Sequence, residues 1–182
     1  SNFDFQQTNT VFEIIESEGL CPLTHYQGMY NMVARKIEEL LPILNFNKVE
    51  FWAYNPLAGG LLTGKYSNVS NILQLDEETN DNSRFKSNRI YQNIFWKEPI
   101  LNGIKDFVSI HNSTQYAFNW YELDSKLNNE DGIIIGSSSL KQIESNLSCF
   151  DKSVKSNLNL PIYSDFNLKY RDFESETPNY FY

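Results

Sequence analysis

Residues Gly59-Gly60-Leu61-Leu62-Thr63-Gly64-Lys65-Tyr66 place two glycines around a four-residue spacer and follow them with a lysine. That is the spacing of a phosphate-cradling P-loop up to its last position, where a serine or threonine would hold Mg²⁺. Tyr66 stands there instead, and its oxygen lies a whole ring farther from the backbone. A Mg²⁺-dependent triphosphatase also needs an acidic partner at the end of another strand, whereas the apolar run at 132–135 ends in Gly136-Ser137-Ser138-Ser139. Those serines form a second candidate site. They sit between a short buried strand and a helix, where free N–H groups and partial positive charge favour anions. Taken singly, a Gly-rich turn is chain punctuation and a serine run is a helix cap. Two such turns at the ends of two strands of one array suit a ligand with more than one phosphate, and a dinucleotide is one.

The elements that must position these loops follow from periodicity. Val11, Ile14 and Ile15 predict a helix over 8–18, stopped by Gly19. Residues 22–27 read as a strand. Val33, Ile37, Leu40, Leu41 and Leu44 share one face of a helix begun after Asn31, with Pro42 near its frayed end. Residues 48–54 form the next strand, and the glycine loop leaves it directly. A polar stretch over 67–93, rich in Asn and Ser, reads as a surface excursion. Helices follow over 98–110, burying Ile104, Phe107 and Val108, and from a Ser113 cap through Tyr121; a strand and a helix then occupy 132–147. Helices alternating with strands predict parallel strands and crossover helices, in an open doubly wound sheet or part of a (β/α)8 barrel. Either fold gathers ligands at the C-terminal strand ends.

Composition narrows the function classes. The 182 residues suffice for one domain with a core, and 41% are hydrophobic, which argues against disorder. A net charge of −8 argues against broad nucleic-acid or anionic-membrane binding, while leaving room for an anion held by backbone N–H groups. Two isolated cysteines, Cys21 and Cys149, fit a reducing compartment, so a cytoplasmic location is expected. No run of apolar residues reaches membrane-spanning length.

"HYQGMYNMVARKIEELLPIL" followed by "FWAYNPLAGGLLTGKY" resembles the aldo-keto reductases, most closely the branch of aflatoxin aldehyde and succinic semialdehyde reductases. "IIIGSSSLKQIESNL" and "PNYFY" are similar to the same branch, and the match is thinnest at 67–90 and 148–176. The resemblance implies the C-terminal half of a (β/α)8 TIM barrel, with parallel strands 6–8 and flanking helices. It makes residues 1–182 a partial NADP-dependent oxidoreductase domain whose N-terminal half is absent. It implies NADPH as cofactor and a small aldehyde or ketone as substrate.

The same resemblance assigns cofactor contacts. Ser1 and Asn2 match a Ser-Asn pair that ends the fifth strand and holds the nicotinamide amide. Gln27, at the end of the sixth strand, matches a second amide contact. Tyr54 matches the aromatic residue that stacks on the nicotinamide ring. Asn55, Pro56, Leu57, Ala58, Gly59, Gly60, Leu61, Leu62, Thr63, Gly64 and Lys65 resemble the loop that wraps the pyrophosphate. Arg84 matches an arginine that approaches the cofactor. Gly136, Ser137, Ser138, Ser139 and Gln142 correspond to the adenosine-phosphate site, and Asn146 to an adenine contact. Under this reading the glycine loop cradles the phosphates of a dinucleotide without Mg²⁺.

The family's catalytic Asp, Tyr, Lys and His belong to its first four strands, ahead of the region matched here. Neither His25 nor His111 fits the catalytic histidine, and both read as surface or packing residues. The chain alone is therefore expected to be inactive, marginally stable or associated through its strand edges, with a homodimer as one form. The alternative is a non-catalytic nucleotide-binding or regulatory protein derived from the same family, a use of the fold that potassium-channel β subunits exemplify. Tyr182 stands where related reductases carry an arginine near a substrate carboxylate, a departure that argues against selectivity for acidic aldehydes.

Overall fold

A computed structural model describes residues 1–66, 89–150 and 161–180. Helix α1 (Phe5–Glu18) starts earlier than apolar spacing indicates, because Asp4 and Gln7 form a reciprocal capping box. The Gln7 N–H donates to Asp4 Oδ1 at 2.7 Å, and the Asp4 N–H to Gln7 Oε1 at 3.0 Å. Gly19, in the left-handed region at φ 61°, ends the helix as expected.

Strand β1 (His25–Met29) lies three residues later than the sequence reading placed its start. A 3-10 turn (Lys36–Glu39) and helix α2 (Leu41–Phe46) then replace the single helix expected after Asn31. Pro42 sits in the first turn of α2, not near its end. A proline is tolerated there because the N–H it lacks has no intrahelical partner in any case. The predicted apolar set survives the change: Val33, Ile37, Leu40, Leu41 and Leu44 are all buried.

Strand β2 (Glu50–Tyr54) pairs in parallel with β1, from His25 opposite Glu50 to Met29 opposite Tyr54. After it come 3-10 turns over Ala58–Thr63, then helices α3 (Arg89–Phe95), α4 (Glu98–Val108) and α5 (Ser113–Leu123). Ser113 is the first residue of α5; the capping position belongs to Asn112, in the left-handed region at φ 66°. The two-residue β3 (Gly132–Ile133) pairs in parallel with β2, giving the order β1-β2-β3. Helix α6 (Leu140–Ser148) follows, and α7 (Pro161–Phe173) with a 3-10 turn (Glu174–Glu176) completes the described chain. Neighbouring strands are consecutive, as in a segment of barrel wall; a doubly wound sheet reverses its order at a switch point.

The two faces of this sheet differ. Tyr26, Phe51 and Ala53 point to a buried side, where Gly28 lies so close to the Phe51 ring that an added Cβ would come within 2.6 Å of it. Tyr30 packs there against Phe51, Trp120 and Tyr121, and the Tyr121 hydroxyl donates to the Tyr30 carbonyl. The opposite positions His25 and Gln27 are exposed, and Glu50, Trp52 and Tyr54 are half-buried. On that open face His25 Nε2 lies 3.2 Å from Glu50 Oε2, and Trp52 Nε1 donates to the same oxygen at 3.3 Å.

Arg35 anchors α7 to this body. Its guanidinium carbon lies 4.8 Å from the Trp120 ring centre and 4.5 Å from that of Tyr170. Its Nη1 donates to Asn167 Oδ1 at 2.7 Å, and Asn167 donates onward to Asp124 at 2.9 Å. No helix among the described residues is long and apolar enough to cross a membrane.

Candidate functional site

The C-terminal end of β2 opens into a cleft of about 590 Å³ between the glycine loop and the segment after β3. Tyr54 is the last strand residue, and Asn55 turns the chain with φ at 61°, a left-handed conformation that Asn tolerates better than most side chains. Asn55 Oδ1 accepts from the Gly59 N–H at 2.7 Å, and the Asn55 carbonyl accepts from Asn31 Nδ2 at 2.9 Å and from the Ala58 N–H at 3.0 Å. This residue therefore staples the start of the loop to its middle and to the chain leaving β1. Gly59 and Gly60 follow with φ at 68° and 104°. The Thr63 hydroxyl donates to the Gly60 carbonyl at 2.7 Å and accepts from the Lys65 N–H at 3.3 Å.

Gly64 closes the loop under a strict steric limit. Its φ is 76°, and an added Cβ would lie 2.6 Å from the Val108 carbonyl oxygen. Ala58, Leu61 and Leu62 are buried and face the core, so only their backbones can serve the cleft. Tyr66 is buried against Trp96, ring centres 5.5 Å apart and nearly perpendicular. It packs where a P-loop would place a metal-binding hydroxyl. No cluster of His, Cys, Asp and Glu able to hold a metal occurs among the described residues.

The opposite wall carries Gly136, Ser137, Ser138, Gln142 and Asn146. Ser139 caps α6, its Oγ accepting from the Gln142 N–H at 3.3 Å. Gln142 Oε1 accepts from both the N–H and the hydroxyl of Ser138, at 2.9 and 2.8 Å. Asn146 Nδ2 donates to Ser137 Oγ at 3.2 Å, and among the described residues the Ser137 hydroxyl hydrogen meets no acceptor. The serine run is thus both a helix cap and a polar wall.

Of the residues singled out in the sequence, Tyr54, Asn55, Pro56, Leu57, Gly59, Gly60, Thr63 and Lys65 line one side of the cleft. Ser1, Asn2 and Gln27 do not line it. Gln27 lies in the middle of β1 opposite Trp52, not at the strand end, because β1 runs on to Met29. Ser1 and Asn2 lie beside β1, where the Phe3 carbonyl accepts from the Tyr26 hydroxyl at 2.9 Å. Asn2 adopts φ 63°, and its buried Oδ1 has no partner among the described residues. Arg84 and Tyr182 lie outside the described residues. Sequence reasoning missed Phe118, Ile134 and Ile135, which give the cleft its apolar floor. The run Ile133-Ile134-Ile135 ahead of the serines held the signal for the two isoleucines. Phe118 comes from a helix remote in sequence and left none.

The electrostatics favour an anion. Among the described residues no Asp or Glu lines the cleft although the chain carries a net charge of −8, and Lys65 is a cation there. Asn55 Nδ2 is buried in the loop without a hydrogen-bond partner among the described residues. Such a donor costs free energy unless a ligand or water meets it.

A glycine- and serine-lined cleft at the carboxyl ends of parallel strands is the ligand-binding position of an α/β barrel protein. Residues 1–158 match the aldo/keto reductase family, and this chain belongs to that family. It is 35% identical over 196 aligned residues to aflatoxin B1 aldehyde reductase member 2 of Rattus norvegicus, covering 100% of this chain and 51% of the relative. It is 34% identical to aflatoxin B1 aldehyde reductase member 4 of Homo sapiens, covering 100% of this chain and 57% of that protein. The chain spans about half the length of these curated relatives. An aldo-keto reductase of Bacillus halodurans, AKR11C1 in its apo form, superposes with a TM-score of 0.51 at 12% identity, covering 96% of this chain and 49% of that one. That likeness supports the (β/α)8 barrel fold.

Proposed function

We propose that this chain supplies the coenzyme-binding half of an NADPH-dependent aldo-keto reductase that reduces aldehydes or ketones to alcohols. One observation carries the reading: two loops from adjacent parallel strands enclose a cleft that no Asp or Glu lines among the described residues, in an acidic protein. The positive-φ glycines on one wall and the Ser137 and Ser138 hydroxyls on the other fit a ligand with two separate phosphate regions. Tyr54 would lie against the nicotinamide, Asn55 through Lys65 along the pyrophosphate, and Ser137, Ser138, Gln142 and Asn146 around the adenosine end. When bound, the coenzyme supplies a hydride to the carbonyl carbon.

This chain's own part is binding and orientation. The Asn55 staple holds the loop shut, so its backbone donors are arranged before the ligand arrives. Phe118, Ile134 and Ile135 exclude water from one wall. No residue here is assigned the proton transfer to the carbonyl oxygen. That role falls to the remaining strands of the barrel, which would cover the open face bearing His25, Gln27, Glu50 and Trp52.

Calorimetric titration of the chain within a complete barrel tests the reading. NADPH is expected to bind saturably, with Tyr54→Ala weakening it roughly tenfold, in the range of one lost aromatic stack. Absence of saturable binding by either NADPH or NADH would overturn it. The chain alone, given NADPH and a panel of aldehydes, is expected to show no turnover. Measurable reduction would show that the proton donor lies within these residues.

A further inference from the structure

Asn31 is a polar side chain with no exposed surface, placed where the chain leaves β1 for the first 3-10 turn. We propose that it is a positioning residue for the glycine loop, acting through Asn55 to set the loop's shape before a coenzyme arrives. A side chain so buried touches nothing in the cleft, so it serves a ligand there only through another residue.

Two hydrogen bonds fix what Asn31 does. Its Oδ1 accepts from the Val33 N–H at 3.0 Å, closing a local turn that the paired backbones of Asn31 and Ala34 complete. That bond decides which end of the amide faces inward along the turn. Nδ2 is left to reach across to the Asn55 carbonyl, at 2.9 Å. One residue earlier, the Tyr30 N–H reaches the Tyr54 carbonyl at 3.4 Å, and the Tyr30 carbonyl is held by the Tyr121 hydroxyl. The segment leaving β1 therefore grips both carbonyls at the point where β2 becomes the loop, and α5 braces it from behind.

Asn55 needs such a grip. Its φ of 61° is uncommon for any residue with a β-carbon. Pro56 follows it, and a proline ring drives the residue before it toward an extended backbone. Two local preferences thus oppose the observed conformation, which persists only where surrounding contacts over-determine it. The bonds to the Gly59 and Ala58 N–H groups are made within the loop, at 2.7 and 3.0 Å. The bond from Asn31 comes from outside and ties the loop to the sheet. Without it Asn55 relaxes toward the extended region, its Oδ1 leaves the Gly59 N–H, and the loop opens. The effect on coenzyme affinity rests on the dinucleotide reading of the cleft; the effect on the loop does not.

The test uses two variants that separate the turn from the grip. Asn31→Ser keeps an oxygen able to accept from the Val33 N–H but falls short of the Asn55 carbonyl. Hydrogen exchange of the ¹⁵N-labelled full chain is expected to speed at the Gly59 amide by at least about tenfold, with the Val33 amide little changed. Asn31→Asp supplies a signature that lost packing would not. Its carboxylate repels the Asn55 carbonyl, whereas the protonated acid donates to it. In this variant the Gly59 amide shift is expected to follow the carboxyl titration, returning to the parent position as pH falls. The acid form also serves if the serine variant fails to fold. In an assembled barrel, NADPH affinity is expected to fall at least about tenfold with Asn31→Ser, and in Asn31→Asp to recover at low pH relative to the parent at the same pH. Unchanged Gly59 exchange, acceleration equal at Gly59 and throughout β2, or a Gly59 shift indifferent to pH in Asn31→Asp would overturn the proposal. Undiminished NADPH affinity in both variants would overturn it as well. A parent barrel that binds no dinucleotide would sink the coenzyme reading instead, and the Gly59 signals would still decide the role of Asn31.

Discussion

Gly64→Ala isolates what the glycine loop requires of its backbone. Two costs combine at this position. The residue holds φ at 76°, where a β-carbon costs about 1–2 kcal/mol. The added methyl would also sit 2.6 Å from the Val108 carbonyl oxygen, a backbone atom that cannot rotate away, and 3.3 Å from Ser113 Oγ. Relieving that contact means shifting the loop or the end of α4, which overpacking data put at about 1–3 kcal/mol. The sum is roughly 2–5 kcal/mol, or a fall in Tm of roughly 4–20 °C for a chain of this size. Gly19→Ala is the control, with φ at 61° and nothing within 4 Å of its Cβ position, so it carries the conformational cost alone. Thermal unfolding followed by circular dichroism, with both variants beside the parent, gives the difference. The steric account requires Gly64→Ala to lose at least about 1 kcal/mol more than Gly19→Ala. Equal losses would refute it and show that the loop yields freely at Val108. The reasoning further requires coenzyme affinity in an assembled barrel to fall with Gly64→Ala and to hold with Gly19→Ala.

Asn55→Asp keeps the acceptor for the Gly59 N–H and tolerates the left-handed backbone, but places a carboxylate where phosphates are proposed to sit. Coenzyme affinity by calorimetry is expected to fall at least about tenfold, and Tm is expected to fall as well, since the second carboxylate oxygen takes the place of a buried Nδ2 that has no partner among the described residues. Arg35→Ala removes the stack on Trp120 and Tyr170 and the bond to Asn167, and should cost about 2–4 kcal/mol in urea unfolding, with Arg35→Lys recovering less than half. Alkaline pH should destabilise the fold. Burial pushes the hydroxyls of Tyr30 and Tyr121 well above their ordinary value of 10.0, with the charge of Glu38 adding to the effect at Tyr30. Above pH 10 the unfolded chain therefore releases protons that the folded chain retains. Each of the two should lower stability by about 1.4 kcal/mol per pH unit over that range, and a flat denaturant midpoint from pH 9.5 to 11 would contradict the assignment.

The amino-acid order alone determined the alternation of strands and helices, the buried set from Val33 to Leu44, and both cleft walls. These are local properties. A glycine spacing, a serine run before a helix and a repeat of apolar residues leave their marks within a few positions. The capping box at Asp4 and Gln7 was equally local, and apolar periodicity passed over it because its residues are polar. Tertiary structure decided the rest. Pro42 moved from the end of a helix to the start of a shorter one because the preceding residues wind as a 3-10 turn. Gln27 fell in the middle of its strand because pairing with β2 extends β1 to Met29, and no residue near Gln27 announces that register. Phe118 joined the cleft only because α5 packs behind a loop some fifty residues earlier in the chain. Spacing in the chain can specify which groups a loop offers. It cannot specify which remote helix will close the space around them, because that depends on contacts whose two halves lie far apart in the sequence.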